Sequence, residues 1–120
     1  MYVPGLTVWY SVKDIDHTLA FYTEKLGFEL LYHDQESGIT MVKTNTENCL
    51  IGFSAADSVV PSTSSTVFDV ENMELAVDKL KKDGVTFIGE IEVIPDFVKL
   101  ATFIDPDGHS LMLSEQLTEL

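Results

Sequence analysis

The two halves of this 120-residue chain repeat one pattern, and no other feature constrains the fold as strongly. Each half opens with a β-forming segment, continues with an apolar periodicity typical of a helix, and then has three more strand-like segments. Gly84 follows Gly27 by 57 positions at the predicted helix ends, and Val70 follows Val12 by 58 at the ends of the opening strands. The sequence therefore predicts two copies of a βαβββ module.

The first module begins with a strand and a helix for which Asp14 is the predicted N-cap and Gly27 the predicted end. The spacing of the helical apolar residues predicts one buried face, which consists of Ile15, Leu19, Tyr22 and Leu26. The predicted elements are strands at 6–12, 28–33, 39–43 and 49–54, and a helix at 15–26.

The second module repeats this order, with Asn72 as the N-cap of a helix that Gly84 ends. The helix is predicted to bury Met73, Val77 and Leu80. An interruption is predicted at Gly89, since glycine inside a strand favours a bulge. The predicted elements are strands at 66–70, 86–94, 98–104 and 110–114, and a helix at 73–83.

The class predicted for the chain is α+β, with a single domain covering residues 1–120. Module one spans about 4–54, a Ser-rich connector about 55–64, and module two about 65–115. Neither four-stranded sheet is expected to be stable alone, because each has to bury one face against its helix and pair with a neighbour.

The charge balance limits the partners. Twenty acidic residues face seven basic ones, all lysine, so the net charge is −13. Nucleic acid and anionic membranes both require a positive field, so neither is expected as a partner. A cationic or neutral ligand is easier to accommodate, although a solvated acidic surface explains the same balance. The single cysteine, Cys49, and the absence of a secretory signal or membrane span predict a cytoplasmic protein.

Four short motifs resemble those of the vicinal oxygen chelate superfamily, which includes glyoxalase I, extradiol dioxygenases, fosfomycin-resistance transferases and bleomycin-resistance proteins. They are Val-Lys-Asp at 12–14, Phe-Tyr at 21–22, Leu-Gly-Phe at 26–28 and Asp-Pro-Asp-Gly-His at 105–109. The resemblance covers essentially the whole chain. It implies that each module curls its mixed sheet into a half-barrel, that a small molecule binds in the concave cleft, and that the chain forms a homodimer.

The resemblance also implies where a metal would bind. In the metal-dependent members, imidazole, carboxylate or Gln ligands come from the first and last strand of each module. The corresponding residues here are Thr7, Gly52, Ser65 and Met112, and the enzymes carry Glu at the position of Met112. Hydroxyls bind divalent ions weakly, a thioether suits copper(I), and glycine has no ligand. We therefore expect neither a metal nor another cofactor, and a divalent metal only if the chain is an enzyme.

The expected ligand-binding residues include these four positions and five more. Trp9 shares a strand face with Thr7 and is a candidate for stacking on a ligand, with a core or dimer-interface role as the alternative. Asp69 on the same face as Ser65 would favour an amine-bearing ligand. The remaining three candidates are His33, by alternation with Glu29 and Leu31, and Leu100 and Thr102, by the resemblance to the transferases.

The residues assign no catalytic group. His17 is expected at the surface, and His109 is expected to brace the turn at 105–108 by a hydrogen bond. The leading hypothesis is a metal-independent binding protein for an apolar or cationic small molecule, similar in kind to the bleomycin-resistance proteins. The alternative is a lyase, isomerase or dioxygenase relative with an atypical metal site, or one that uses Glu29 or His33 without metal. A third possibility is an interaction domain whose own side chains fill the cleft.

Overall fold

The computed structural model describes residues 1–118. The chain divides into two compact units, Met1–Val60 and Pro61–Leu120, and the division falls inside the predicted connector. Each unit contains one four-stranded mixed sheet with a helix on one face, so the predicted pair of βαβββ modules and the α+β class are confirmed. None of the helical segments within residues 1–118 has the length and hydropathy needed to span a bilayer.

Unit 1 follows the predicted element order closely. Its strands lie in the sheet order β1-β4-β3-β2, with β1 parallel to β4 and the other neighbours antiparallel. The elements are β1 (Leu6–Val12), α1 (Ile15–Ala20), a π turn (Phe21–Lys25), β2 (Glu29–Asp34), β3 (Ile39–Lys43) and β4 (Cys49–Ala55).

The predicted buried face of the first helix is partly wrong. Tyr22 is fully buried, but Thr18 and Phe21 are the other buried residues. Thr18, Phe21 and Tyr22 have the i, i+3, i+4 spacing of one helical face, so the buried face is rotated towards Thr18 from the predicted one. Leu26 follows the π turn, in which its N–H donates to the Phe21 carbonyl at 3.1 Å, and the extra residue of that turn moves it away from a 3.6-residue spacing. The remaining three predicted residues are half-buried: Ile15, Leu19 and Leu26.

The core of unit 1 lies between this helix and the sheet. The Tyr22 ring packs on Phe53 of β4 with 4.7 Å between ring centroids, and Tyr10 of β1 stacks on the same phenylalanine at 6.5 Å. Val42 and Ile51, which are register partners on β3 and β4, are fully buried beside them. This aromatic and aliphatic cluster fixes which face of the sheet carries the helix.

Unit 2 repeats the topology in the order β5-β8-β7-β6, with β5 parallel to β8. The predicted interruption of the second strand of this module is confirmed, because the register shifts between Ile88 and Glu92 and Gly89 has φ +73°. The elements are β5 (Thr66–Asp69), α2 (Met73–Lys82), β6 (Thr86–Ile94), β7 (Val98–Ile104) and β8 (Ser110–Gln116).

Helix α2 buries the predicted residues Met73, Val77 and Leu80. Polar contacts fix its first turn on the sheet, because the Met73 N–H donates to a carboxylate oxygen of Glu115 on β8 at 2.6 Å. Lys99 of β7 donates to Glu74 at 2.6 Å; this hydrogen bond lowers the pKa of the Glu74 carboxyl and raises the pKa of the Lys99 ammonium. The helix therefore covers the face of the sheet that carries Lys99.

The start of unit 2 is bound to the β7–β8 turn. The imidazole Nδ1 of His109 accepts the Ser62 N–H at 2.9 Å, and the Ser62 carbonyl accepts the Ser110 N–H at 3.2 Å. An Asp105 carboxylate oxygen accepts the His109 N–H at 2.9 Å inside the turn. The expected bracing role of His109 is confirmed, and its ring also binds the end of the connector, which the turn motif alone does not indicate.

Candidate ligand-binding faces

Each sheet has one face that carries the helix and one that does not. We call the latter the open face of its unit. Side chains of directly paired residues on neighbouring strands point to the same side, so the register assigns residues to faces. Phe53 and its partners form the helix face of unit 1, because Tyr22 packs on Phe53. Lys99 and its partners form the helix face of unit 2, because Lys99 binds Glu74.

A row of side chains crosses the middle of the open face of unit 1. Trp9 on β1 is paired with Gly52 on β4, Gly52 with Met41 on β3, and Met41 with Tyr32 on β2. The Trp9 and Tyr32 side chains are 46% and 49% exposed. This middle row of unit 1 is therefore an apolar strip with an aromatic ring at each end.

The same register occurs in unit 2 with different side chains. Val67 on β5 is paired with Met112 on β8, Met112 with Thr102 on β7, and Thr102 with Ile88 on β6. Since the topology is also the same, Met112 is the structural equivalent of Gly52, as the sequence alignment of the two modules predicts. The middle row of unit 2 has aliphatic, thioether and hydroxyl groups but no aromatic ring.

A second row on the open face of unit 2 has a carboxylate at each end. Asp69 on β5 is paired with Ser114, Ser114 with Leu100, and Leu100 with Glu92 on β6. The Ser114 hydroxyl donates to the Asp69 carboxylate at 2.5 Å, which fixes that carboxylate at the sheet edge. Lys99 lies on the helix face, so no basic residue occurs in this acidic row.

The corresponding parts of unit 1 are more nearly neutral. Lys43 and Glu29, a register pair on its open face, form an ion pair with 3.8 Å between Nζ and the carboxylate oxygen. The row equivalent to the acidic row runs from Ser11 on β1 through Ser54 and Ile39 to Asp34 on β2. The two open faces therefore differ in charge, because this row has a carboxylate at one end in unit 1 and at both ends in unit 2.

The Trp9 indole lies directly over Gly52. A Cβ atom added to Gly52 would be 2.3 Å from both Cε3 and Cζ3 of the indole, so the ring occupies the space of a side chain at that position. The indole Nε1–H donates to the Ser54 hydroxyl two residues further along β4 at 3.1 Å. The ring is thus held at two points, by packing on the Gly52 backbone and by one hydrogen bond.

His33 lies on the helix face of unit 1, opposite to the expected one. It is paired with Thr40, and its Nδ1 is 2.6 Å from the Thr40 hydroxyl oxygen. The reason is a bulge at Leu31, which shifts the register between Leu30 and Tyr32 and reverses the alternation after it. The structure therefore separates His33 from Trp9 and places Tyr32 in the apolar strip instead.

A shallow cleft of about 680 Å³ lies at the end of unit 1 where β1 begins, between the start of β1 and the β3–β4 turn. Of the predicted site residues it contains Thr7. Its remaining lining comes mostly from polar turn residues, namely Thr44, Asn45, Thr46, Glu47 and Asn48. The cleft is therefore separate from the rows on which the other predicted site residues lie.

A family model described as Glyoxalase/Bleomycin resistance protein/Dioxygenase superfamily matches residues 6–113. The chain belongs to this superfamily. The match covers both units from the first residue of β1 into β8, and it confirms the family resemblance of the four sequence motifs.

Three proteins of similar sequence or fold are consistent with this assignment. YetH, an uncharacterized protein of Bacillus subtilis strain 168, is 28% identical over 118 residues, which cover 91% of this chain and 95% of YetH. A superfamily member from Sphaerobacter thermophilus is 26% identical with a TM-score of 0.76, covering 97% of this chain and 98% of that one. TnmS3, an antibiotic-binding protein from Streptomyces sp. CB03234, has the same fold at 21% identity, with a TM-score of 0.75 and coverage of 97% and 96%.

The residues at the family's metal positions do not fit a divalent ion. The Trp9 ring covers Gly52, and the hydroxyl of Ser65 is 2.6 Å from that of Ser110. Met112 offers only a thioether, which is a poor ligand for hard or borderline ions. Within residues 1–118, no group of three or more His, Cys, Asp and Glu side chains is placed to hold a metal ion.

The structure gathers the predicted site residues in two sets. Thr7, Trp9 and Gly52 share the open face of unit 1. Five others share that of unit 2: Ser65, Asp69, Leu100, Thr102 and Met112.

Sequence reasoning did not select six residues of the same rows: Tyr32, Met41, Val67, Ile88, Ser114 and Glu92. It also did not select Ser54, which accepts the Trp9 Nε1–H. Strand alternation from Gly52 could have found Ser54, and the pairing of neighbouring strands could have found Met41. Tyr32 and Glu92 follow bulges, which reverse the alternation without a clear sequence pattern.

Proposed function

We propose that this superfamily member is a metal-independent binding protein for a cationic or apolar small molecule, which binds on the open faces of the sheets. The observation that supports it most strongly is the pair of equivalent central positions, Gly52 and Met112. An indole covers the first and the second has a thioether, where the metal-dependent relatives use ligating side chains. The side chains at the centre of both faces suit packing against a ligand rather than Lewis-acid chemistry.

The acidic row of unit 2 supports a cation as part of the ligand. Its ends, Asp69 and Glu92, are separated by three strand spacings, or about 14 Å across the sheet. Leu100 lies between these two carboxylates, and Met112 lies in the neighbouring row. An apolar part of a ligand can therefore pack on Leu100 and Met112 while its ammonium group faces Asp69. The net charge of −13 favours the approach of cations over that of anions.

The relatives support the class of function and not the ligand. TnmS3 binds an antibiotic, and its fold is that of this chain. Sequestration of a cationic antibiotic is therefore one form that the proposed binding function could take. The homodimer implied by the superfamily resemblance is part of this proposal.

Metal analysis tests the first half of the proposal. Protein purified without chelators is expected to contain zinc, nickel, manganese or iron at well below one ion per chain, because the family positions lack ligating groups. Addition of each ion at a small excess is expected to leave the thermal unfolding midpoint unchanged, since an ion that binds only the folded state would raise it. One tightly held ion per chain would instead support the enzyme alternative.

The substitution Asp69→Asn tests the second half. It is expected to weaken binding of an aryl-trimethylammonium compound by about threefold to fivefold, because exposed charge pairs contribute up to about 1 kcal/mol. Binding of the neutral tert-butyl isostere should not change. Isothermal titration calorimetry measures both affinities.

The matched control is Asp78→Asn, which changes the net charge equally on an exposed residue of α2 that pairs with Lys82. If both variants weaken the cation equally, the effect comes from the overall charge and Asp69 has no specific role. Unchanged affinity in Asp69→Asn would likewise remove Asp69 from the site.

A further inference from the structure

We infer that Trp9 is a preformed stacking platform that selects planar aromatic ligands, and that Gly52 and Ser54 are its positioning residues. The inference rests on the proposed binding function and adds the shape of the ligand. The residues that select a planar ligand lie in unit 1, whereas the carboxylates that favour a cation lie in unit 2.

The first step is that the indole is fixed before any ligand arrives. Gly52 has no side chain, so Cε3 and Cζ3 of the ring occupy the space above it, 2.3 Å from where a Cβ would be. The hydrogen bond from Nε1 to Ser54, at 3.1 Å, fixes the rotation of the ring about its own axis. Since the ring is already ordered, stacking on it costs little conformational entropy.

The second step is that the ring remains accessible on its outer side. Trp9 is 46% exposed although its inner side is packed on Gly52. Met41 and Tyr32 continue the same row, and Tyr32 is 49% exposed. The row crosses four strands, a width of about 14 Å, which matches a ligand of about three fused rings.

The third step is the difference between the two units. The equivalent row in unit 2 has Val67, Met112 and Thr102, which offer no aromatic surface. A globular alkylammonium ion can pack against either row, but only a flat ring can stack on an indole. The ratio of affinities for a planar and a globular cation therefore reports on Trp9.

The experiment compares 10-methylacridinium with tetrabutylammonium, both monovalent cations, by isothermal titration calorimetry. Unmodified protein is expected to bind the acridinium at least about tenfold more tightly, in line with measured base–aromatic stacking. Trp9→Leu should remove this preference while retaining the affinity for tetrabutylammonium, and Trp9→Phe should keep part of it. Leu30→Ala, an exposed apolar residue on the helix face of the same sheet, should change neither affinity.

Ser54→Ala tests the positioning role. Trp9 is the only tryptophan, so its fluorescence anisotropy reports directly on this ring. Loss of the hydrogen bond is expected to lower the anisotropy and to weaken acridinium binding about threefold, with no effect on tetrabutylammonium. Unchanged anisotropy and affinity would show that Ser54 does not position the ring.

The outcomes separate the two proposals. If neither cation binds the unmodified protein, the proposed binding of cationic ligands fails and the platform fails with it. If both bind and Trp9→Leu leaves their ratio unchanged, the binding function stands and the platform is overturned.

Discussion

Gly52→Ala is expected to displace the Trp9 indole from β4 and to destabilise the protein by about 1–3 kcal/mol, the usual cost of an added methyl group in a packed site. The new Cβ would be 2.3 Å from two ring carbons, so the ring has to move. The half-exposed ring can rotate towards solvent, and its hydrogen bond to Ser54 is then lost. Tryptophan emission should shift to longer wavelength, and urea denaturation gives the change in unfolding free energy.

The sign of the change in unfolding free energy distinguishes the clash with the indole from the backbone preference for alanine. Alanine is favoured over glycine inside a strand by about 0.5–1 kcal/mol, so a net loss of stability has to come from the clash with the ring. Ser54→Ala is the matched control, since it removes the hydrogen bond without adding volume. It should shift the emission with a smaller loss of stability. If Gly52→Ala were as stable as the unmodified protein with unchanged emission, the indole would not lie over this glycine.

The repeat made most of the fold predictable. Both modules have the predicted element order. Seven of the eight strands begin at the predicted residue, among them β3 after Gly38 and β8 after the Asp105–Gly108 turn, and β2 begins one residue later than predicted. Helix α2 has the predicted buried face because it is a regular helix from its Asn72 cap onward. Local sequence patterns are enough to predict the elements and their buried faces where the backbone keeps a constant period.

The errors at Leu26 and His33 follow points where that period changes. The π turn at Phe21–Lys25 adds one residue to a helical turn, and the bulge at Leu31 adds one to a strand. Each insertion moves the following side chains to another side of the element. Because tertiary packing decides whether an extra residue is accommodated, the apolar pattern of the strand itself does not show that His33 faces Thr40.

The candidate site was predictable as a list of positions and not as contacts. Alternation placed Trp9 on the same face as Thr7, and the repeat related Gly52 to Met112. That the indole fills the space over Gly52 depends on two strands that are more than forty residues apart in sequence, so no local pattern encodes it. The same holds for the hydrogen bond between Ser114 and Asp69.

His109→Ala is expected to destabilise the protein by about 1–3 kcal/mol, the usual cost of leaving a buried polar group without its partner. The His109 side chain is 3% exposed, and its Nδ1 accepts the Ser62 N–H at 2.9 Å. Without the imidazole, the start of unit 2 loses this bond to the β7–β8 turn. Urea denaturation measures the loss, and limited proteolysis should cut faster within residues 58–65.

His109→Asn separates the hydrogen bond from the packing of the ring. An asparagine oxygen lies close to where Nδ1 was, so it can still accept the Ser62 N–H. If the bond carries the effect, His109→Asn should retain most of the stability that His109→Ala loses and should restore the resistance to proteolysis. His17→Ala, at an exposed residue of α1, should stay within about 0.5 kcal/mol of the unmodified protein. Equal losses in the Asn and Ala variants would show that the imidazole acts by filling space, and that the connector is held by the bond between Ser62 and Ser110 instead.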